Sequence, residues 1–313
     1  MVNMYDTVNM WLDWGLVGDF SLPTITQKLS NVTEHYKENY NYISGNLNNY
    51  RVGITETGIT LKGSLPKYVH GYNLHTLTRS GTEQAIQQLS DELSLPIKLA
   101  RLTQIDLSTH FIMKRPVHEY YQFLGDKRFF KRLQATLETL YYNTKARQLV
   151  FYNKLDEATY KGADIPDIFK GENLLRYEIR HKGRLNKQFN MPEVVASTLY
   201  DEAFYINLIN IWVKEYQNIQ KVNRLTACNM DNIKTPKDAE NMIFGLLLNK
   251  FGISEIDNIL QDMKANNVYT DPKYYSRLKA KLKQLANKTD ISEKSELITE
   301  LDNEIKSIKQ YYR

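Results

Sequence analysis

Residues 101–111 read RLTQIDLSTHF, and the alternation of polar and apolar side chains in this stretch decides the fold. Successive side chains of a strand point to opposite faces. Over 104–110 this puts Asp106, Ser108 and His110 on one face, with Ile105 and Leu107 on the other. Two other stretches share the pattern. In QLVFYNK (148–154) Tyr152 and Lys154 lie opposite Leu149 and Phe151, and in LRYEIR (175–180) Arg176, Glu178 and Arg180 lie opposite Leu175, Tyr177 and Ile179. Strands of this kind build an antiparallel sheet packed on one side, its polar face ordinarily turned to water. If the three polar faces coincide instead, carboxylates, cations and a tyrosine are gathered in one place.

Working outward, RVGITETGITLK (51–62) reads as a hairpin around Glu-Thr-Gly. TEQAIQQLSDEL (82–93) starts on threonine and spaces Ala85, Ile86, Leu89 and Leu93 as a helix does, with Pro96 ending it. A long strand is expected over 99–112, a short helix over 117–124, paired strands over 137–142 and 148–153, and another strand over 174–180. From Pro192 the apolar period becomes 3.6. One or two buried helices are expected over 194–216, then a polar linker over 217–234. Thr235-Pro236 starts a helix that Gly252 stops, and Thr270-Asp271-Pro272 opens another. The last helix carries Leu297, Leu301, Ile305 and Ile308 on one stripe, which needs a protein surface to cover it. The expected class is therefore α+β: an antiparallel-sheet domain at 1–216, a linker at 217–234 and an all-α domain at 235–313.

The 313 residues suit two domains, and 42% hydrophobic with 25% charged residues excludes wholesale disorder. One cysteine, Cys228, excludes a disulfide framework and any cysteine-cluster metal site. The longest apolar run, 242–248, is too short to span a bilayer. Asp6 and Asp13 stand where a signal peptide would want lysine or arginine, so a cytoplasmic, membrane-free protein is expected. A net charge of +5 permits a polyanionic partner. The 22 tyrosines join stacking faces to polar tips, a composition that suits nucleic acid and half-buried core edges equally.

Several chemistries fail on the residues. There is no GxxxxGK[ST] loop, no GxGxxG turn and no GxSxG elbow, and the HEYYQ at 118–122 has glutamine where a zinc protease needs its second histidine. The polar strand faces allow more. Carboxylate oxygens of Asp106 and Glu178 suit magnesium or manganese. A tyrosine beside them is mostly protonated at neutral pH, its free pKa being roughly 10. A cation with Lys154, Arg176 and Arg180 nearby would favour the phenolate and offset charge at a phosphorane-like transition state. Such a group can nick a phosphodiester and keep one end on Tyr152. Among the histidines, 35, 70, 75, 110, 118 and 181, only His110 shares the face of Asp106.

Four segments, in order, resemble the gene II type replication protein of filamentous phages, a family of rolling-circle replication initiators. KGSLPKYVHGYN (62–73) resembles K-[AG]-S-x-x-K-x-x-Q-G-H-N, and RLTQIDLSTHF (101–111) the R-I-D strand; FYNKLDE (151–157) fits Y-x-K-x-x-E, and LLRYEIRHKGRLNKQF (174–189) the R-[FY]-E-x-R strand with its basic tail. The resemblance implies a metal-dependent endonuclease on an antiparallel-sheet nicking domain. It would nick one strand at the origin, form a 5′-phosphotyrosyl link, free a 3′-hydroxyl and later rejoin the strand. Tyr152 matches the nucleophile, with Lys154 and Glu157 as further catalytic positions. Asp106 and Glu178 match the acidic metal positions, and Glu157 is a candidate third ligand. Where the family has Q-G-H-N this chain has His70-Gly71-Tyr72-Asn73, leaving His70 as the candidate metal histidine. The implied cofactor is Mg2+ or Mn2+. The implied partners are origin DNA, a host helicase and polymerase, with a homodimer as a candidate assembly.

Expected DNA contacts are Lys62, Lys67 and Asn73 in the first segment and Arg176, Arg180, Lys182 and Arg184 in the last. Lys273, Arg277 and Lys281, four residues apart, line one helix face in a stretch (272–288) that has no acid. The KRFFKR cluster at 127–132 pairs cations with aromatics and suits either a single strand or the core. Two other readings stand beside the initiator: a mobilisation relaxase nicking a transfer origin, and a non-catalytic DNA-binding regulator on the same scaffold.

Overall fold

The structure, a computed structural model, describes residues 4–37, 40–75, 77–222, 233–251, 253–286 and 295–310. Its strands are β1 (Tyr5–Asp13), β2 (Ser30–Tyr36), β3 (Asn41–Leu47), β4 (Tyr50–Ile54), β5 (Gly58–Ser64), β6 (Arg101–Met113), β7 (Leu124–Lys127), β8 (Lys131–Thr136), β9 (Thr139–Asn143), β10 (Arg147–Asn153), β11 (Asn173–Lys182) and β12 (Ile219–Lys221). Ten of them form one antiparallel sheet in the order β2-β3-β4-β5-β1-β6-β11-β10-β9-β8, and β7 pairs with β12 separately. The hairpin expected at 51–62 is β4–β5. Gly58 is obligatory where β5 meets β1, because a Cβ there would lie 2.4 Å from the Leu12 carbonyl.

The helices are α1 (Leu22–Thr26), α2 (Leu65–His70), α3 (Arg79–Leu93), α4 (His118–Tyr121), α5 (Lys154–Tyr160), α6 (Leu185–Phe189), α7 (Glu202–Gln217), α8 (Pro236–Phe251), α9 (Ile253–Ala265), α10 (Pro272–Ala286) and α11 (Glu296–Gln310). Helix α3 starts a turn earlier than expected, because Thr78 rather than Thr82 caps it by accepting from the Gly81 amide. Helix α7 buries Phe204, Leu208, Trp212 and Tyr216. Trp212 lies 4.5 Å from the Tyr177 ring, which stacks at 4.5 Å on Phe151. The apolar faces of β10 and β11 therefore close onto α7. Truncating the fully buried Trp212 to alanine would cost about 3–5 kcal/mol.

The expected linker at 217–234 needs correction at its start. Gln217 is the last residue of α7, and 219–221 forms β12 against β7; residues 223–232, with Cys228, lie outside the described residues, as does the expected stop at Gly252. Helices α8, α9 and α10 pack on one another, but α11 does not belong with them. Its Ile298, Leu301, Ile305 and Ile308 join the core of the sheet domain, the Tyr120 hydroxyl donates to Glu300 at 2.7 Å and the Tyr216 hydroxyl donates to Asp302 at 2.7 Å. The surface that its stripe requires is the sheet side of the molecule. Among the described residues no helix is long and apolar enough to cross a membrane.

Candidate active site

Strands β6, β11 and β10 are neighbours, and their register brings the three polar faces together. Asp106 pairs with Arg180, Ser108 with Glu178 and His110 with Arg176; across the other edge of β11, Tyr152 pairs with Arg176 and Gln148 with Arg180. This face is not solvated, since Asp106, Ser108, Arg176 and Glu178 are all buried. Two helix starts help to cover it. Ser64 ends β5 and caps α2, which terminates at Gly71 (φ 78°) and releases the chain toward Asn73. Asn153 follows Tyr152 and caps α5 through the amides of Leu155 and Asp156.

Arg176 is the hub. Its guanidinium, wholly inaccessible to solvent, donates to Asp6 at 2.5 Å, to Ser108 and to the Asn73 carbonyl at 2.9 Å, and its Nε lies 3.6 Å from Glu178. Asp6 also accepts from Ser64 at 2.6 Å and from the Asn73 amide at 3.1 Å. Burial would push the Asp6 carboxyl up, but Arg176, Ser64 and Asn73 hold it below its ordinary value. Lys154 sits beneath the surface, donating to Asn73 at 2.8 Å and Glu157 at 2.6 Å. Burial, with Arg176 close by, brings its ammonium down to about 8. Glu157 also pairs with Lys161; although burial opposes it, the two lysines take its carboxyl down to about 2.

Above this layer opens a cleft of about 510 Å3, whose lining includes Tyr152, Asp106, Glu178, Arg180, Lys62 and Lys67. The Tyr152 hydroxyl donates to Glu178 at 3.2 Å, and Arg180 donates to the other oxygen of Glu178 at 2.6 Å. Burial raises the Tyr152 phenol well above its ordinary value; Arg176 opposes the rise, and Glu178 and Asp6 add to it. Asp106 accepts both bonds of the Gln104 amide, at 2.8 and 3.0 Å. Burial and the neighbouring Glu178 push its carboxyl up to about 8. A phenol touching a carboxylate, with two arginines beside it and lysines at the rim, is equipped for phosphoryl transfer. A family model for the N-terminal region of the phage gene II type replication-associated protein matches residues 4–213.

The chain belongs to this family. It is thus a replication-associated initiator, and the matched span ends inside α7. No curated protein matches the chain. Of the residues expected in the site of this gene II type initiator, Tyr152, Asp106, Glu178, Glu157, Arg180, Lys62, Lys67 and Asn73 line the cleft together. Others do not. Arg176, expected as a DNA contact, is committed to Asp6, Ser108 and Asn73 below the surface. Lys154, expected as catalytic, is buried and positions Asn73 and Glu157. His70 is exposed at the end of α2, away from the cleft lining. His110 packs edge-on against Phe169, and burial takes it down to about 3, so it is neutral.

Sequence reasoning missed Asp6, Asn9, Ser64 and Lys161. Asp6 is hidden by a β-bulge: Tyr5 pairs with Leu107 and Val8 with Ile105, so β1 spends one extra residue and the face count slips by one. Among the described residues no cluster of three or more histidine, cysteine or acidic side chains is set to hold a metal. The expected quartet of Asp106, Glu178, Glu157 and His70 therefore does not converge. A hard cation still fits a smaller donor set. Burial and the neighbouring Glu178 carboxylate raise the cost of ionising Asp106, which a cation would relieve. Among the described residues the buried Asn9 Oδ1 has no hydrogen-bond partner, while its amide nitrogen donates to Gln104 at 3.1 Å. All three are oxygen donors lining the cleft.

The remaining expected DNA contacts lie elsewhere on the surface. Lys182, the last residue of β11, and Arg184 just beyond it are exposed, and Lys273, Arg277 and Lys281 lie along α10, which carries no acid. The KRFFKR cluster splits: Lys127 pairs with Glu215 at 2.9 Å, Phe130 packs against the core, and Phe129 projects into solvent with Arg128 over its ring.

Proposed function

We propose that this chain nicks one strand at a replication origin through Tyr152, holds the 5′ end as a phosphotyrosyl ester, frees a 3′-hydroxyl for a host polymerase and later rejoins the strand. The contact between Tyr152 and Glu178, inside a cleft rimmed by lysines, carries this reading. In the resting protein the phenol keeps its proton. Glu178 stands in place to accept that proton as the phenolic oxygen attacks phosphorus. The P–O3′ bond breaks, the leaving 3′ oxygen takes a proton from water to become the hydroxyl as Glu178 returns its proton to water, and the new ester stores the bond for resealing. Resealing is the reverse: the 3′-hydroxyl attacks phosphorus and Tyr152 leaves as the phenol. Arg176 and Arg180 would offset the phenolate's charge electrostatically, the buried Arg176 fixed by Asp6, Ser108 and Asn73 and Arg180 held by Glu178 and Gln148.

Asp106 and Glu178, with Asn9 alongside, would hold Mg2+ or Mn2+, which when bound would polarise the phosphate and stabilise its developing charge. Lys62, Lys67 and Lys161 would hold the strand's phosphates across the opening. Duplex unwinding falls to a host helicase in this account, since the sequence has no P-loop. The cations of α10 would contact flanking DNA. Incubating the protein with single-stranded fragments of its own element and magnesium should yield a denaturant-resistant protein–DNA adduct. Tight binding with no adduct would move the reading to the regulator.

A further inference from the structure

The strands farthest from Tyr152 on the β1 side form an arm whose face carries groups that the nicking chemistry does not use. On it Tyr42 stacks against His35, ring centroids 4.3 Å apart and 10° from parallel, and Tyr40 lies 6.0 Å from Tyr42. Lys37 sits 5.4 and 5.7 Å from the centroids of these two tyrosines. Beside the rings runs a groove of about 330 Å3, whose floor is built from small residues. Ser44, Gly53 and Thr60 are register partners across β3, β4 and β5, so a low row separates the aromatic stack from the next strands. Arg51 and Lys62 are also register partners and flank the groove. Among the described residues no carboxylate lines it.

We infer that this arm is a stacking platform for unpaired bases of the DNA strand that enters the cleft; this rests on the proposed function. Lys62 lines both the groove and the active cleft, and in register it pairs with Asn9 on one side and Arg51 on the other. A backbone leaving the cleft thus passes from Lys62 to Arg51 without crossing an acidic group. Aromatic faces beside a cationic track bind single strands without sequence preference, because every base has a π-face. A duplex keeps its base faces inside the stack and cannot use them. The rings carry a lysine above them rather than an apolar shell, which fits a polyanion and not a protein surface.

Binding of a labelled oligothymidine of roughly 16 nucleotides to the full chain tests this, measured by anisotropy across a salt series. The chain carries Tyr152→Phe, so covalent chemistry contributes nothing and the result stands whether or not the protein nicks. Tyr40→Ala with Tyr42→Ala should weaken binding on the order of ten-fold or more with the salt slope unchanged, since stacking is lost and no phosphate contact is. Tyr40→Phe with Tyr42→Phe should bind normally, and a duplex of equal length should not distinguish the variants. Unchanged affinity in a folded alanine pair, or an equal loss on duplex, overturns the inference. Should the alanine pair fail to fold, Lys37→Gln with Arg51→Gln, both exposed, decides it: the single-strand salt slope should fall by about 0.7 per lost contact, and an unchanged slope overturns it.

Discussion

Arg176 on β11 is clamped at 2.5 Å by Asp6 on β1, although β6 lies between the two strands and 170 positions separate them in sequence. Both side chains are buried, so removing one strands the other's charge. Asp6→Ala should cost about 3–5 kcal/mol of stability, read as a lower denaturation midpoint in urea. Replacing the pair together, Asp6→Leu with Arg176→Met, should recover most of that loss and leave nicking abolished. A double-mutant cycle showing additive losses would contradict the clamp.

Asp106→Ala and Glu178→Ala should each reduce nicking on the order of 10²-fold or more while DNA affinity changes little. In the proposed reaction both carboxylates would act on charge that develops at the phosphate, whereas affinity would come from lysine and arginine contacts. Gel-based cleavage in magnesium, run beside anisotropy, separates the two effects. Normal cleavage by either variant would remove it from the metal and proton chemistry.

Charge removal at Lys273, Arg277 and Lys281 should weaken duplex binding and flatten log K against log salt by about 0.9 per lost phosphate contact. Cleavage of a short single-stranded fragment should be unaffected. An unchanged slope would mean that this face of α10 is merely solvated.

Acid should destabilise the fold in a definite window. Burial takes His181 down to about 4 and His110 to about 3. Each binds its proton more readily in the unfolded chain, so their stability contribution is full above the ordinary histidine value of roughly 6.5 and is lost as pH falls toward 4 and 3. Glu157, held near 2, adds a further loss as pH drops below the ordinary glutamate value. Asp106, raised to about 8, takes its proton first in the folded chain and offsets one of the two histidines over this window. The net balance still has the melting temperature falling below about pH 6.5, and His181→Gln should reduce the slope between there and pH 4.

The parts that could be read in advance are those where side-chain period survives into the fold. The faces of β6, β10 and β11 alternate without interruption through Asp106, Tyr152 and Glu178, so counting by two places them correctly. Asp6 escapes because a bulge shifts the count within β1. Lys161 escapes because it reaches the cleft from one turn beyond Glu157, at the end of α5, where local sequence shows only an exposed lysine. The stripe on α11 is plain, but which surface takes it depends on packing against Tyr120 and Tyr216, distant in sequence. The same holds for Arg176: its charge suggests a phosphate contact, and only burial assigns it to Asp6.

In the proposed reaction the phenolic oxygen resting on Glu178 is the nucleophile. Peptide mapping of the protein after reaction with single-stranded origin DNA and magnesium tests it most directly. The DNA-linked residue should be Tyr152, and Tyr152→Phe, which keeps the ring and its packing, should bind DNA and form no adduct. A link mapped to Tyr141, Tyr142, Tyr160 or Tyr177, or an adduct surviving in Tyr152→Phe, would contradict the account.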